Sequence, residues 1–209
     1  IHHNRVYFNR SYDEGAGIMI AGELPVNFTT LSPGAGPVDI YANLIQANLG
    51  NDDGGGLRFL MAGNFPFNVY NNIIVSNVST HEGGGVSLND APDVRVYNNT
   101  IISNNVNIDL VTVEDGGPDG VLFISNTLVK GDNPVNYHTL DVGQDQFDTY
   151  DTVFLDTRTA NGADVDDAYL RGTSGGEYSF YVKWYLDLTV TDASGLPVVG
   201  AAVSAVGQS

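Results

Sequence analysis

A segment that combines one tyrosine, paired asparagines and a run of β-branched residues recurs at nearly constant spacing along the chain. Copies at 38–60, 67–88 and 94–105 superimpose, and successive copies are 29 and 27 residues apart. Each copy is long enough for two or three short strands with turns between them. A period in the twenties with this content is typical of a solenoid, in which each repeat stacks on the next.

The superposition arranges equivalent residues into columns. Fainter copies carry Asn4 and Asn9 upstream and Asn126 downstream, so we expect about five coils in all. The tyrosine column contains Tyr41, Tyr70 and Tyr97, one asparagine column contains Asn43, Asn72 and Asn99, and a second contains Asn48, Asn77 and Asn104.

These columns predict a parallel β-helix. A leucine-rich repeat would show regular leucines, and a propeller blade would need about forty residues. In a β-helix, equivalent residues lie one strand spacing apart, about 4.8 Å. Asparagine at the bends tolerates left-handed backbone angles, and its amide can bond to the coils above and below. Alternation directs Val38, Ile40, Phe67, Val69, Val94 and Val96 into the core and the tyrosines outward.

The strings "VYNNTIISNN" and "EGGGVSL" resemble the right-handed parallel β-helix superfamily with the pectate-lyase-like fold. The resemblance covers residues 1–135 and implies an all-β, right-handed parallel β-helix solenoid. This superfamily includes lyases, hydrolases, epimerases, phage tailspikes, adhesins and surface-layer proteins, so the resemblance leaves the function open.

The repeat fades after residue 135. Residues 136–180 are acidic and rich in turn formers, and we expect an irregular capping or linker segment that covers the last strand edges. Within 181–209, "LTVTDASGLPVVGAAV" resembles the opening hairpin of immunoglobulin-like modules related to the carboxypeptidase regulatory domain. It implies a C-terminal β-hairpin or partial β-sandwich that is truncated here. We therefore expect a segment of a larger exported protein, extracellular or at the cell surface.

Charge narrows the set of partners. The formal net charge is −17 at pH 7, so no basic face is expected for nucleic acid or an anionic membrane surface. No apolar run reaches the length of a membrane span. The chain contains no cysteine, so disulfides give no indication of the compartment.

Acidic residues precede the glycine runs of successive copies. In-register stacking would place Glu14, Asp53 and Glu82 in one column at a corner. Carboxylates about 5 Å apart repel unless a proton or cation lies between them, and Ca²⁺ prefers such oxygen ligands. A solvated acidic edge that keeps the solenoid soluble is the alternative. Apart from this Ca²⁺ hypothesis, we predict no cofactor.

The outward column of Tyr41, Tyr70 and Tyr97 also has two interpretations. Stacked tyrosines can contact sugars or a neighbouring chain, or they can simply stabilise the sheet. Glycosylation sequons mark Asn27 and Asn98 as acceptor candidates; the sequon at Asn77 falls in a ladder column.

No motif fixes a catalytic set. The resemblance implies that a lyase of this fold would combine clustered aspartates with an arginine or lysine, and Arg58, Asp90 and Asp93 are of the right types. We interpret Asp93 and Arg95 as a surface ion pair and His81 as an exposed turn residue. No residue is therefore assigned a catalytic role.

The sequence favours a non-catalytic structural or adhesive module that contacts other subunits or self-assembles into a fibre or surface layer. A carbohydrate-active enzyme, either a polysaccharide lyase or a hydrolase, is the alternative. A glycan-binding module on the same fold is a further alternative.

Overall fold

The computed structural model describes residues 1–24, 32–103, 105–106, 109–114, 120–130, 137–143, 149–170 and 178–204. All regular structure within these ranges is β-strand. The strands are β1 (Arg5–Tyr7), β2 (Ile18–Ala21), β3 (Val38–Tyr41), β4 (Leu44–Gln46), β5 (Leu49–Gly50), β6 (Leu57–Leu60), β7 (Phe67–Tyr70), β8 (Ile73–Val75), β9 (Val78–Ser79), β10 (Val86–Asn89), β11 (Val94–Tyr97), β12 (Thr100–Ser103), β13 (Asn105–Val106), β14 (Asp109–Glu114), β15 (Leu122–Ile124), β16 (Thr127–Lys130), β17 (His138–Val142), β18 (Thr149–Leu155), β19 (Arg158–Ala160), β20 (Ala168–Leu170) and β21 (Tyr178–Lys183).

The strands form a parallel solenoid, as the repeat predicts. In the described residues, three sheets each contain six strands. Sheet I is β1-β4-β8-β12-β16-β19, sheet II is β2-β6-β10-β14-β17-β20, and sheet III is β3-β7-β11-β15-β18-β21. A short sheet IV, β5-β9-β13, lies between sheets I and II along the chain. Neighbouring strands pair in parallel, with Tyr41 opposite Tyr70 and Tyr70 opposite Tyr97.

The core lies inside the coil and consists of β-branched and aromatic side chains. Ile40, Phe67, Val69, Val94 and Val96 are fully buried, which confirms their predicted inward orientation. Val38 lies at the edge of this core and is only partly buried. Strand residues that alternate in this way place every second side chain in the interior, where its apolar surface is removed from water.

The two predicted asparagine columns are hydrogen-bonded ladders. In the first, the Oδ1 atom of each residue accepts bonds from the main-chain N–H and the Nδ2 of the residue one coil earlier, at 2.9–3.1 Å. This ladder contains Asn4, Asn43, Asn72, Asn99 and Asn126. The second contains Asn9, Asn48 and Asn77 with the same pattern. Asn104, predicted to extend it, lies outside the described residues.

From Asn43 onward, each asparagine of the first ladder lies two residues after the end of a strand of sheet III. The residue between them turns the chain. Ala42, Asn71, Asn98 and Ser125 adopt φ values of 52–55°, in the left-handed region. Asparagine tolerates this region better than most residues, whereas alanine and serine occupy it at some cost. The buried amide that follows each turn holds the corner in place.

The solenoid continues well beyond residue 135, which corrects the predicted boundary. Strands β17 to β21 extend all three main sheets by parallel pairing, with one strand added to sheet I and two each to sheets II and III. The segment 136–180 is therefore not an irregular cap where it is described. Its inward positions are still filled by Leu140, Val142 and Phe154, all fully buried, although the asparagine repeat has ended.

Residues 184–204 extend from the last strand as an exposed segment with a local hairpin. Val198 N–H donates to the carbonyl of Val190 at 3.0 Å, and Thr191 and Pro197 form an antiparallel bridge. Asp192 closes the turn by accepting bonds from the main-chain N–H groups of Ser194 and Leu196. The predicted turn at "DASGLP" is thus present. Many apolar side chains here are exposed, including Trp184, Tyr185, Leu186, Leu188, Leu196 and Val199.

No helix in the described part of the chain has the length and apolar character needed to cross a bilayer.

Candidate functional site

The predicted acidic column exists at the corner that precedes sheet II. Main-chain bonds align its three coils, because Gly15 N–H donates to the Asp53 carbonyl and Gly54 N–H donates to the Glu82 carbonyl. Glu14, Asp53 and Glu82 therefore occupy equivalent places in successive coils. Asp53 and Glu82 are buried, at 8% and 1% exposure, so this corner is not the solvated acidic edge that the alternative interpretation describes.

A buried arginine lies among these carboxylates. Arg58 is only 2% exposed, although it lies on the outward side of β6 between the core residues Leu57 and Phe59. Its Nε lies 3.0 Å from Glu14 Oε2 and its Nη2 lies 3.2 Å from Asp53 Oδ2. Its Nη1 donates to Ser87 Oγ and lies 3.7 Å from Glu114 Oε2. One guanidinium thus links carboxylates from three coils.

Glycine makes room for this arginine. Gly54 has φ +71°, and a Cβ there would lie 2.5 Å from the Cβ of Arg58. The glycines that the repeat places after each acidic pair thus let the corner fold back over the outward row of sheet II. That row is buried as a result, and it includes Ser87, Thr112 and Asp141 in addition to Arg58.

His81 borders the cluster on its solvent side. Its Nδ1 lies 2.8 Å from Asp53 Oδ1 and 3.5 Å from Asp52 Oδ1. Its Nε2 lies 3.6 Å from Glu82 Oε1, and half of its side chain is exposed. The prediction of an exposed turn histidine is therefore incomplete, because this imidazole also contacts three carboxylates.

The electrostatics of the cluster reflect burial and crowding. Burial raises the pKa of Glu14, and the neighbouring Arg58 guanidinium opposes this effect by charge and hydrogen bonding. Burial and then the adjacent Asp53 carboxylate raise the pKa of Asp52. In both cases burial is the main cause, because it disfavours the charged carboxylate, and repulsion from the Asp53 carboxylate adds to it.

Two groups of side chains have ligand atoms close enough to share a metal ion. Asp52, Asp53 and His81 form one group, and Asp53, Glu82 and Glu114 form the other, each with all atoms within 4.8 Å of one another. The oxygen-only group has the ligand type that Ca²⁺ prefers. Arg58 already supplies one positive charge to Asp53 and Glu114, which lowers the need for a cation.

A second polar cluster joins sheets I and II near the end of the solenoid. Lys130 Nζ lies 2.5 Å from Asp167 Oδ2, and His138 Nδ1 lies 2.9 Å from Asp167 Oδ1. Burial alone would raise the pKa of Asp167, but the bonds from Lys130, His138 and Thr139 outweigh it and lower that pKa. Such an arrangement fixes one coil to the next. The repeat does not predict it, because Lys130, His138 and Asp167 do not recur in other copies.

The three predicted tyrosines form a stacked ladder on the outward face of sheet III. Ring centroids of Tyr41 and Tyr70 are 4.8 Å apart with planes 7° apart, and those of Tyr70 and Tyr97 are 4.8 Å apart with planes 2° apart. His2 stacks on the outer side of Tyr41, also at 4.8 Å. We call these four rings the aromatic ladder. Each tyrosine is half-buried, and the ring faces cover one another.

The remaining candidates are separate from these clusters. Asn98 is exposed at a sheet corner, and Asn27 lies outside the described residues. Arg95 Nε lies 4.0 Å from Asp93 Oδ1 with both side chains exposed, as expected for a surface ion pair. Asp90, in contrast to Asp93, is buried, and the main-chain N–H of Ser32 donates to its Oδ2 at 2.9 Å.

Sequence reasoning missed the central role of Arg58 and did not place Glu114 with the acidic column. Arg58 could be recognised only as a charged residue within a strand, flanked by apolar neighbours at 57 and 59. Glu114 belongs to the end of β14, where the repeat has already become irregular. The one available sequence signal for a buried charge was the position of Arg58 between two apolar strand residues.

Comparison with known proteins gave no match to a protein-family model, to a curated protein or to a solved structure. The fold and these clusters therefore carry the functional argument.

Proposed function

We propose that this chain is a non-catalytic structural or adhesive module of an exported, cell-surface or extracellular protein. The observation that supports this most is the use of its polar side chains for internal bonding. Arg58, Asp53 and Glu114 are buried and contact one another across coils. Catalytic groups need access to a substrate, whereas these groups connect the coils of a rod.

Rigidity is the property that such a module would supply. Every main sheet is bonded in parallel from coil to coil, and two asparagine ladders fasten the corners. In a stack with contacts only between neighbouring coils, each added coil contributes a further interface to stability. The resemblance to the pectate-lyase-like superfamily agrees with this proposal because that superfamily includes adhesins and surface-layer proteins.

The exposed C-terminal segment supports a role in attachment. Residues 184–204 present Trp184, Leu186 and Val199 to solvent, at 59%, 66% and 96% exposure. Exposed apolar side chains grouped in one segment support a contact with another polypeptide. Its resemblance to immunoglobulin-like modules fits a linking β module, and the partner is a further domain, another subunit or a second copy in a fibre.

The assembly state tests this proposal directly. We expect negative-stain imaging and analytical ultracentrifugation to show ordered association, and incubation with a panel of acidic and neutral polysaccharides to release no products. A chelator arm tests whether Ca²⁺ contributes. If association is lost with chelator and restored by Ca²⁺, the carboxylates of Asp53, Glu82 and Glu114 are the first candidate ligands. Dispersed monomers together with polysaccharide cleavage would refute the structural role.

A carbohydrate-active enzyme is the second candidate, and one observation favours it. Asp53, Glu82 and Glu114 bring carboxylate oxygens within 4.8 Å of one another beside an arginine. Paired carboxylates are the catalytic groups of glycoside hydrolases, and a cationic side chain is the base in lyases of this fold. Product release by the wild type but not by Glu114→Gln, with an unchanged circular dichroism spectrum, would favour this candidate.

A further inference from the structure

The aromatic ladder presents ring edges, not ring faces, to solvent. Successive rings lie 4.8 Å apart with planes 2–16° apart, so each tyrosine face is covered by the next ring. A pyranose packs its face on a free aromatic face. This geometry removes the surface that a sugar would use and leaves a narrow strip of edges along the solenoid axis.

That strip suits the flat face of another aromatic molecule. Aromatic rings have a negative face and a positive edge, so a ligand face laid against ring edges makes the favoured edge-to-face contact. The three steps of 4.8 Å give the ladder a length of roughly 14 Å along the axis. A rigid planar molecule of that length can contact several rings at once.

Residues of sheet III extend the strip beyond Tyr97, and a neighbouring outward column carries charged side chains. Ile124 follows Tyr97 in register, and Leu155 follows Ile124. The parallel outward column contains Asp39, Asn68 and Arg95. Asn68 Nδ2 donates to the exposed Asp39 carboxylate at 2.8 Å. With a chain net charge of −17, a cationic ligand is attracted overall, whereas Arg95 and the weakly positive ring edges oppose its charge locally.

We propose that the aromatic ladder is a binding site for elongated, rigid, planar aromatic cations, which lie along the solenoid axis against the tyrosine edges. The ring column is held in place by in-register main-chain pairing on both sides of Tyr70. Binding therefore requires little ordering of the protein, which favours affinity. This inference is independent of the proposed structural role, because the aromatic ladder is part of the solenoid itself and does not depend on assembly with a partner.

The test uses thioflavin T with the full chain, after size-exclusion chromatography has removed aggregates. We expect saturable binding with enhanced fluorescence. Tyr70→Leu interrupts the ladder at its middle and should weaken binding by up to about tenfold, the equivalent of losing one strong edge-to-face contact. Tyr169→Leu is the matched control, because Tyr169 is an exposed tyrosine on sheet II that stacks on His138 outside the ladder.

Two charge variants test the same site without altering a ring. Asp39→Asn should weaken binding of the cation, and Arg95→Gln should strengthen it, with both effects reduced by salt. Circular dichroism establishes whether each variant is folded. If Tyr70→Leu does not fold, the Asp39→Asn and Arg95→Gln variants still test the proposal. Absence of saturable binding, equal loss in Tyr169→Leu, or unchanged affinity in a folded Tyr70→Leu protein would overturn the proposal.

Discussion

The first asparagine ladder should contribute several kcal/mol to the free energy of unfolding, and Asn72 is the residue at which to measure it. Asn72 is 1% exposed. Its Oδ1 accepts two bonds from Asn43, and its Nδ2 donates to the Ile40 carbonyl and to Asn99 Oδ1, all at 2.9–3.0 Å. Asn72→Ala removes all four bonds at once.

The expected loss follows from these contacts. A typical hydrogen bond contributes a net 0.5–1.5 kcal/mol, and a buried donor left without an acceptor adds a further penalty. The substitution leaves the buried main-chain N–H of Asn43 without its acceptor. We therefore expect Asn72→Ala to reduce the free energy of unfolding by about 3–5 kcal/mol.

Urea denaturation followed by circular dichroism measures this loss as a shift in the midpoint at constant slope. Asn68→Ala is the control, because Asn68 makes a single bond to the exposed Asp39 carboxylate. That control should change stability by no more than about 0.5 kcal/mol. A loss below about 1 kcal/mol in Asn72→Ala would show that the ladder is not a main source of stability.

Three further predictions concern the corners and the buried charges. Arg58→Ala leaves buried carboxylates without their cation and should cost about 3–5 kcal/mol; its thermal midpoint should recover in part with added Ca²⁺, and an unchanged midpoint would contradict the cluster's role. Gly56→Ala would place a Cβ 2.5 Å from the Gly85 carbonyl oxygen, whereas Gly50→Ala meets nothing closer than 3.6 Å, so only the first should lower the urea midpoint strongly. Burial raises the pKa of Asp90 above 3.8, so its folded form binds a proton more tightly and stability falls as pH rises through that folded pKa. Asp90→Asn should therefore be more stable than wild type at pH 7, with the two proteins converging below pH 3.8 in urea titrations; equal stability at pH 7 would refute this assignment.

The repeat predicts those parts of the fold in which identical residues must stack. In a parallel in-register coil each asparagine or tyrosine meets its own kind, so a column in the sequence becomes a ladder in space. Asn72 and Tyr70 were predictable for this reason, as were the acidic positions before the glycines. Inward positions require only apolar residues of fitting volume. Leu140 and Phe154 therefore carry no repeat signal, and the repeat alone places the end of the solenoid too early.

Contacts between residues of different types could not be predicted from the repeat. Arg58 meets Glu14, Ser87 and Glu114 because four successive coils align along sheet II, and that alignment depends on loop lengths that differ from coil to coil. The orientation of the tyrosine rings was equally inaccessible. Alternation places a side chain outward, but it does not determine that the ring faces stack at 4.8 Å and leave the ring edges exposed.

The asparagine ladder also indicates how a protein of this kind can change length during evolution. Each rung involves only its immediate neighbours, and the bond from one asparagine to the next stays at 2.9–3.0 Å while their separation in sequence varies from 39 to 29 to 27 residues. Tandem duplication of one coil would recreate the same rung above and below the new copy. Insertions between rungs would add surface loops without disturbing the stack. A lineage could thus lengthen and decorate this rod through separate genetic events.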